Sequence, residues 1–103
     1  MKSIVTKYTE YCLLCGRPTT TGHHLVFGKG IRNLADEDKL IIPCCDNCHT
    51  LNKVTDRIHD NPVAEKLSKI IGQLAYEKHK VAEGMSEDEA RESFRKRYGR
   101  SFL

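Results

Sequence analysis

Val63, Leu67, Ile70, Ile71, Leu74 and Val81 recur at intervals of three and four, the period of one face of an α-helix. Asn61-Pro62 just ahead of them offers an N-cap and a proline suited to the first helical position, and Gly84 offers a stop. The pattern predicts a long helix whose apolar stripe is core or a dimer seam. Ser86-Glu87-Asp88-Glu89 has the form of a capping box opening a last helix, with acids in its first turn and bases in its last. The preceding part of the chain reads differently. Gly16, Pro18, Gly22, Gly28, Gly30 and Pro43 punctuate it, leaving two short candidate strands at about 23–27 and 39–42. Residues 28–33 between them read as a loop carrying Lys29 and Arg32. After Cys48 the pattern turns helical again, to about Arg57 or Ile58.

Length and composition narrow the class. At 103 residues the chain has room for one domain. A mean hydropathy of −0.53 and the lack of any long apolar run exclude a membrane-spanning helix. The first eight residues hold no apolar stretch of signal-peptide length, so a cytoplasmic, reducing setting is expected. The net charge of +3 is compatible with a nucleic-acid partner without requiring one. Basic residues gather late, at Arg91, Arg95, Lys96, Arg97 and Arg100, with Glu92 the one acid among them.

The cysteines change the picture most. Five is an odd count, and disulfides rarely persist in a reducing compartment, so metal binding is the better reading. Cys12-x-x-Cys15 and Cys45-x-x-Cys48 are two pairs separated by 29 residues. A two-residue gap lets both thiolates of a knuckle face one ion, and two knuckles complete a tetrahedral four-sulfur zinc site. Gly16 suits the tight turn of the first knuckle. Such a site contributes on the order of 10 kcal/mol to folding and leaves no open position for chemistry. Cys44, at the end of Leu40-Ile41-Ile42-Pro43, reads as a small buried apolar residue. A redox role for either CxxC is disfavoured, because neither opens a thioredoxin-like βαβ pattern.

With both pairs on one ion, the strands between them must fold back as a hairpin, and His49, directly after Cys48, approaches it. Adjacent strand residues point to opposite faces, so His23 and His24 should have different tasks, one as a metal ligand and one as a base. His79, late in the long helix, reads as a solvated surface residue.

Together, Cys12-x-x-Cys15, His23-His24 and Cys45-x-x-Cys48-His49-x-x-x-Lys53 resemble the HNH nucleases, also called His-Me finger or ββα-metal endonucleases, and in particular the small phage and prophage type with a four-cysteine zinc. The resemblance covers roughly residues 11–60. It implies a small α+β fold: a zinc-stapled, treble-clef-like ββα-metal hairpin and helix over residues 1–60, followed by two C-terminal helices over 61–103 packed on it. It further implies that His23 and His49 hold one catalytic divalent cation (Mg²⁺, Mn²⁺, Ni²⁺ or Zn²⁺), with Asp38 or His59 as a supplementary ligand. His24 takes the place of the general base. Lys53, with Arg57, Arg32 and Lys29, would grip the phosphate backbone of nucleic acid, double-stranded DNA first, in a bacterial or phage-infected cell. The family's middle Asn lies nine residues before the helix histidine, where this chain has Leu40. Asp38 and Asn33 are the nearest polar residues, which leaves the orientation of the base open. The competing reading is a catalytically silent zinc module that docks on nucleic acid or on a phage protein.

Overall fold

The computed structural model describes residues 1–103. The elements run β1 (Gly22–His24), α1 (Arg32–Glu37), β2 (Ile41–Pro43), a π-turn (Asn47–Leu51), a 3₁₀ turn (Val54–Asp56), α2 (Pro62–Ala82) and α3 (Glu87–Tyr98). β1 and β2 form an antiparallel hairpin in which His23 faces Ile42 and His24 faces Ile41. Leu25 N–H to Leu40 O, at 2.9 Å, continues the ladder beyond His24. Both strands are shorter than their apolar runs, because after Leu25 the chain leaves the ladder to enter the core at Val26. The loop expected over 28–33 gives way at Arg32 to α1, whose buried Ala35 anchors it under the hairpin.

The helix expected after Cys48 is broken into two short pieces, the π-turn and the 3₁₀ turn, and the chain then doubles back on the second knuckle. Ile58 N–H bonds Cys48 O at 2.9 Å and His59 N–H bonds His49 O at 3.1 Å. The Arg57 guanidinium braces this return, donating to the carbonyls of Thr50, Asn52 and His59 and to Asp60. Carbonyls that a helix would have satisfied internally are satisfied by one side chain instead.

α2 starts as its sequence indicates, with Pro62 in the first turn and the Asn61 side chain accepting from Ala64 N–H. Its apolar stripe is not the core face, one of the two roles expected of it. Val63, Leu67, Ile71, Leu74 and Val81 face solvent, Val63 being 70% exposed, whereas Ser68, Gly72, Gln73, Tyr76 and Glu77 are buried. The polar inner face is tolerated because each group finds a partner. Ser68 Oγ donates to Leu25 O at 2.8 Å, and Gln73 bonds Ser101 and the Phe102 N–H. Tyr76 pairs with Ser93 at 2.7 Å, and Glu77 receives Gln73 and Arg91. Gly72 sets the depth: a Cβ there would sit 2.6 Å from Val26 Cγ2 and 3.0 Å from Leu25 Cβ. Only glycine lets α2 lie this close to the end of the hairpin.

α3 carries the capping box, with Ser86 and Glu89 exchanging both hydrogen bonds. Phe94 and Tyr98 stack on each other and join Val26, Ala35, Leu40 and Tyr76 in one core. The two halves of the chain therefore share their apolar interior. No helix is long and apolar enough to cross a membrane.

Candidate metal centres

The first knuckle closes on itself. Gly16 adopts φ +80°, its N–H bonds Cys12 O at 2.8 Å, Cys12 N–H bonds Arg17 O at 2.7 Å, and Tyr11 bridges Pro18. Leu13 N–H to Pro43 O at 2.9 Å ties this knuckle to β2, so that the second knuckle, directly after β2, arrives beside it. The sulfurs of Cys12, Cys15, Cys45 and Cys48 lie within 4.8 Å of one another, and those of Cys15 and Cys45 are 3.6 Å apart. A tetrahedral ion with Zn–S bonds of about 2.3 Å needs sulfur–sulfur edges of roughly 3.8 Å, so this donor set fits zinc. Burial raises the Cys12 thiol, but backbone N–H groups of Cys45, Cys15 and Leu14 outweigh it and bring its pKa down to about 6. Burial and the neighbouring cysteines push Cys48 up. A divalent cation bound here would favour the thiolate form of all four. Cys44 stays outside the set, fully buried, its thiol pushed up to about 12 by burial and by the other cysteines.

A second cluster forms on the other side of the knuckle. His23 from β1, His49 from the π-turn and His59 from the return loop bring one ligand nitrogen each within 4.8 Å of the others. Their ring centroids are 4.5 to 5.1 Å apart. His23 is buried, and burial together with the adjacent His49 and His59 pushes its pKa down to about 3. His49 is lowered for the same reasons, burial first and His59 second. Both shifts favour the neutral rings of His23 and His49, which offer lone pairs. Three imidazoles match the ligand type and number of sites that bind Zn²⁺, Ni²⁺ or similar ions. His23 Nε2 lies 2.7 Å from Ser68 Oγ, and His59 Nδ1 lies 3.1 Å from Glu65 Oε2. The His49 ring takes no hydrogen bond from the protein.

His24, the next residue on β1, points away from His23. Its Nε2 is 3.1 Å from Asp36 Oδ1, and Arg32 Nε donates to its Nδ1 at 3.3 Å. Both partners sit on α1, the helix that the glycine-rich sequence around it concealed. His24 and Arg32 remain close enough to His49 for their charges to lower its pKa. Asp36 is itself held below the usual carboxylate range by His24.

The other candidate residues lie as follows. Asp38 is not in the histidine cluster: it accepts from Arg97 Nε at 2.7 Å and from the Tyr98 hydroxyl, fastening α1 to α3. Leu40 is fully buried in the shared core. Lys29 and Lys53 are exposed. Arg57 is committed to bracing the return loop, as described above. His59, expected near the end of a helix, reaches the cluster through the backbone pairing with His49. Glu65, Ser68 and Asp36 carried no sequence signal, since each acts through a tertiary contact. The chain matches no protein-family model, no curated protein and no solved structure.

Proposed function

We propose that this protein is a metal-dependent endonuclease of the HNH class, hydrolysing phosphodiester bonds in nucleic acid, with double-stranded DNA as the first substrate to test. The observation that carries the reading is the placement of His23 and His24. One belongs to a three-imidazole cluster with His49 and His59, and its neighbour carries a carboxylate partner on the opposite side of the strand. In this reading the four cysteines hold a structural zinc in a treble-clef-like ββα-metal unit, and His23, His49 and His59 hold one divalent cation. When bound, that cation supplies Lewis acidity at the phosphate and stabilises the leaving 3′ oxygen. With no carboxylate among the ligands, zinc, nickel or manganese suits the site better than magnesium.

His24 acts as the general base. Asp36 accepts only, so it holds the proton on Nε2 and leaves the lone pair on Nδ1. The Arg32 bond to Nδ1, at 3.3 Å, is long enough for water to replace it. Nδ1 would then take the proton of the attacking water while Asp36 steadies the ring, the orienting task left unassigned by Leu40. Arg32, released, and the exposed Lys29 and Lys53 would meet phosphate oxygens in this reading, contacts that give salt-dependent affinity with little sequence preference. The products would carry 5′-phosphate and 3′-hydroxyl ends.

One observation favours a silent zinc module instead, namely the buried apolar Leu40 where the family places a polar residue. Nicking of supercoiled plasmid with Mn²⁺, Ni²⁺, Zn²⁺ or Mg²⁺ separates the two. His24→Ala should lose at least ~100-fold in rate, the low end for a general base. Equal rates for the two proteins, or no nicking with any of the metals, would overturn the enzyme reading.

A further inference from the structure

We infer that Glu65 and Ser68, one turn apart on α2, set the tautomers of His59 and His23 so that each ring keeps its lone pair on the nitrogen that α2 does not engage, leaving it free for a cation. They are positioning residues. The inference rests on the reading of His23, His49 and His59 as a cation site, and it assigns to the helical half a part in the chemistry beyond scaffolding.

Proton counting at each contact gives the assignment. A serine hydroxyl has one proton. That of Ser68 is donated to Leu25 O at 2.8 Å, a carbonyl that can only accept. Toward His23 Nε2, 2.7 Å away, Ser68 Oγ must therefore act as acceptor, so His23 carries its proton on Nε2 and its lone pair on Nδ1. Glu65 Oε2 already receives the Asp60 N–H at 3.3 Å, and as a carboxylate oxygen it can only accept. His59 Nδ1, at 3.1 Å, is accordingly the protonated nitrogen, and the lone pair is on Nε2. Opposite ring atoms are thus selected in the two histidines. A ligand histidine whose other nitrogen donates to a carboxylate or another oxygen acceptor is the usual outer shell of a metal site, and loss of that partner typically costs 10- to 100-fold in metal affinity.

The helix is built to deliver both acceptors. Residues three apart share a face, so Glu65 and Ser68 address the cluster together. Gly72 permits the close approach that brings Ser68 to Leu25 and His23. Asp60, in the left-handed region at φ +63°, turns the chain between His59 and the start of α2, where the Asn61 cap fixes the first turn and with it Glu65.

The test uses the full-length, zinc-loaded protein. Long-range ¹H–¹⁵N spectra of the histidine rings should show His23 protonated on Nε2 and His59 on Nδ1. Titration with Ni²⁺ should show a second metal equivalent beyond the cysteine-bound zinc. Glu65→Ala should move the His59 proton to Nε2 and weaken Ni²⁺ binding 10- to 100-fold, and Ser68→Ala should mix the His23 tautomers with a similar loss. Glu65→Gln, which keeps an acceptor oxygen without the charge, should restore most of the Nδ1 tautomer and of the affinity. A merely structural role would alter stability without moving ring protons. If wild type takes up Ni²⁺ but Glu65→Ala keeps the wild-type tautomer or affinity, this inference falls while the cation site stands. If wild type takes up no Ni²⁺, the cation reading itself falls, and this inference with it. Should an alanine variant fail to fold, the wild-type spectrum decides: a His59 proton found on Nε2, or a His23 proton found on Nδ1, overturns the assignment.

Discussion

The two clusters of this protein are built by opposite strategies. Each pair of sulfurs is local: two residues separate the members, and the backbone of the same few residues closes the turn around them. Leu13 N–H on Pro43 O and the Cys45 N–H on the Cys12 sulfur then tie the two pairs together. The imidazoles come singly from three segments, a strand, a π-turn and a loop, and two of them are held by side chains from a fourth, α2. The first cluster is a product of spacing and the second of packing. Disturbances should therefore pass from the sulfurs to the imidazoles and hardly at all in return.

The largest expected effect lies on the sulfur side. Cys48→Ser removes one of the four sulfurs proposed to hold zinc, and does so within the turn that carries His49. It should remove most of a metal contribution on the order of 10 kcal/mol and abolish both zinc retention and any second-metal binding. Circular dichroism and metal analysis read both, and a variant that unfolds no more easily than wild type would break the hierarchy. A smaller effect is expected on the packing side. Gly72→Ala forces α2 away from Val26 and should cost about 1–3 kcal/mol, as overpacking does, with zinc retained and Ni²⁺ binding weakened through the displaced Ser68. Unchanged Ni²⁺ affinity in that variant would mean that the imidazoles do not depend on the helix.

The last effect is a pH dependence to which the imidazoles contribute. His23 titrates near 3 in the folded protein, against 6.5 when free. Below 6.5 the unfolded chain therefore takes up a proton that the native state refuses. Its contribution to stability is complete above 6.5 and is lost as pH falls toward 3, by at most about 1.4 kcal/mol per pH unit. His49 shifts in the same direction. Denaturation midpoints of the zinc-loaded protein should fall between pH 7 and pH 5, and added Ni²⁺ should raise them at pH 7. A flat midpoint over that interval would contradict the burial assigned to His23.

What could be read from the sequence follows the same division. The cysteine pairs, the Asn61 cap and the Ser86 capping box are local devices, and each appears where its spacing placed it. The orientation of α2 was not legible, because the rule that apolar faces turn inward fails when Ser68, Gln73 and Glu77 each have a buried partner and Gly72 admits a close contact. The break in the helix after Cys48 was not legible either, since it depends on the Arg57 guanidinium folding back on the carbonyls of Thr50 and Asn52. Among the imidazoles, His23, His24 and His49 stood out by motif. His59 joins them only through a backbone pairing across the return loop, and Asp38, attractive in the sequence, is engaged by Arg97 and Tyr98 nearly sixty residues away.

The interlock of Gly72 with Val26 bears on how this molecule can be passed around by recombination. A fragment ending at residue 60 would keep every cysteine and every histidine of the two clusters, yet would bare Val26 and Leu40 to water. Gene fusions that borrow only the motif-bearing segment should consequently yield insoluble or ill-ordered products, and the chain should be inherited whole.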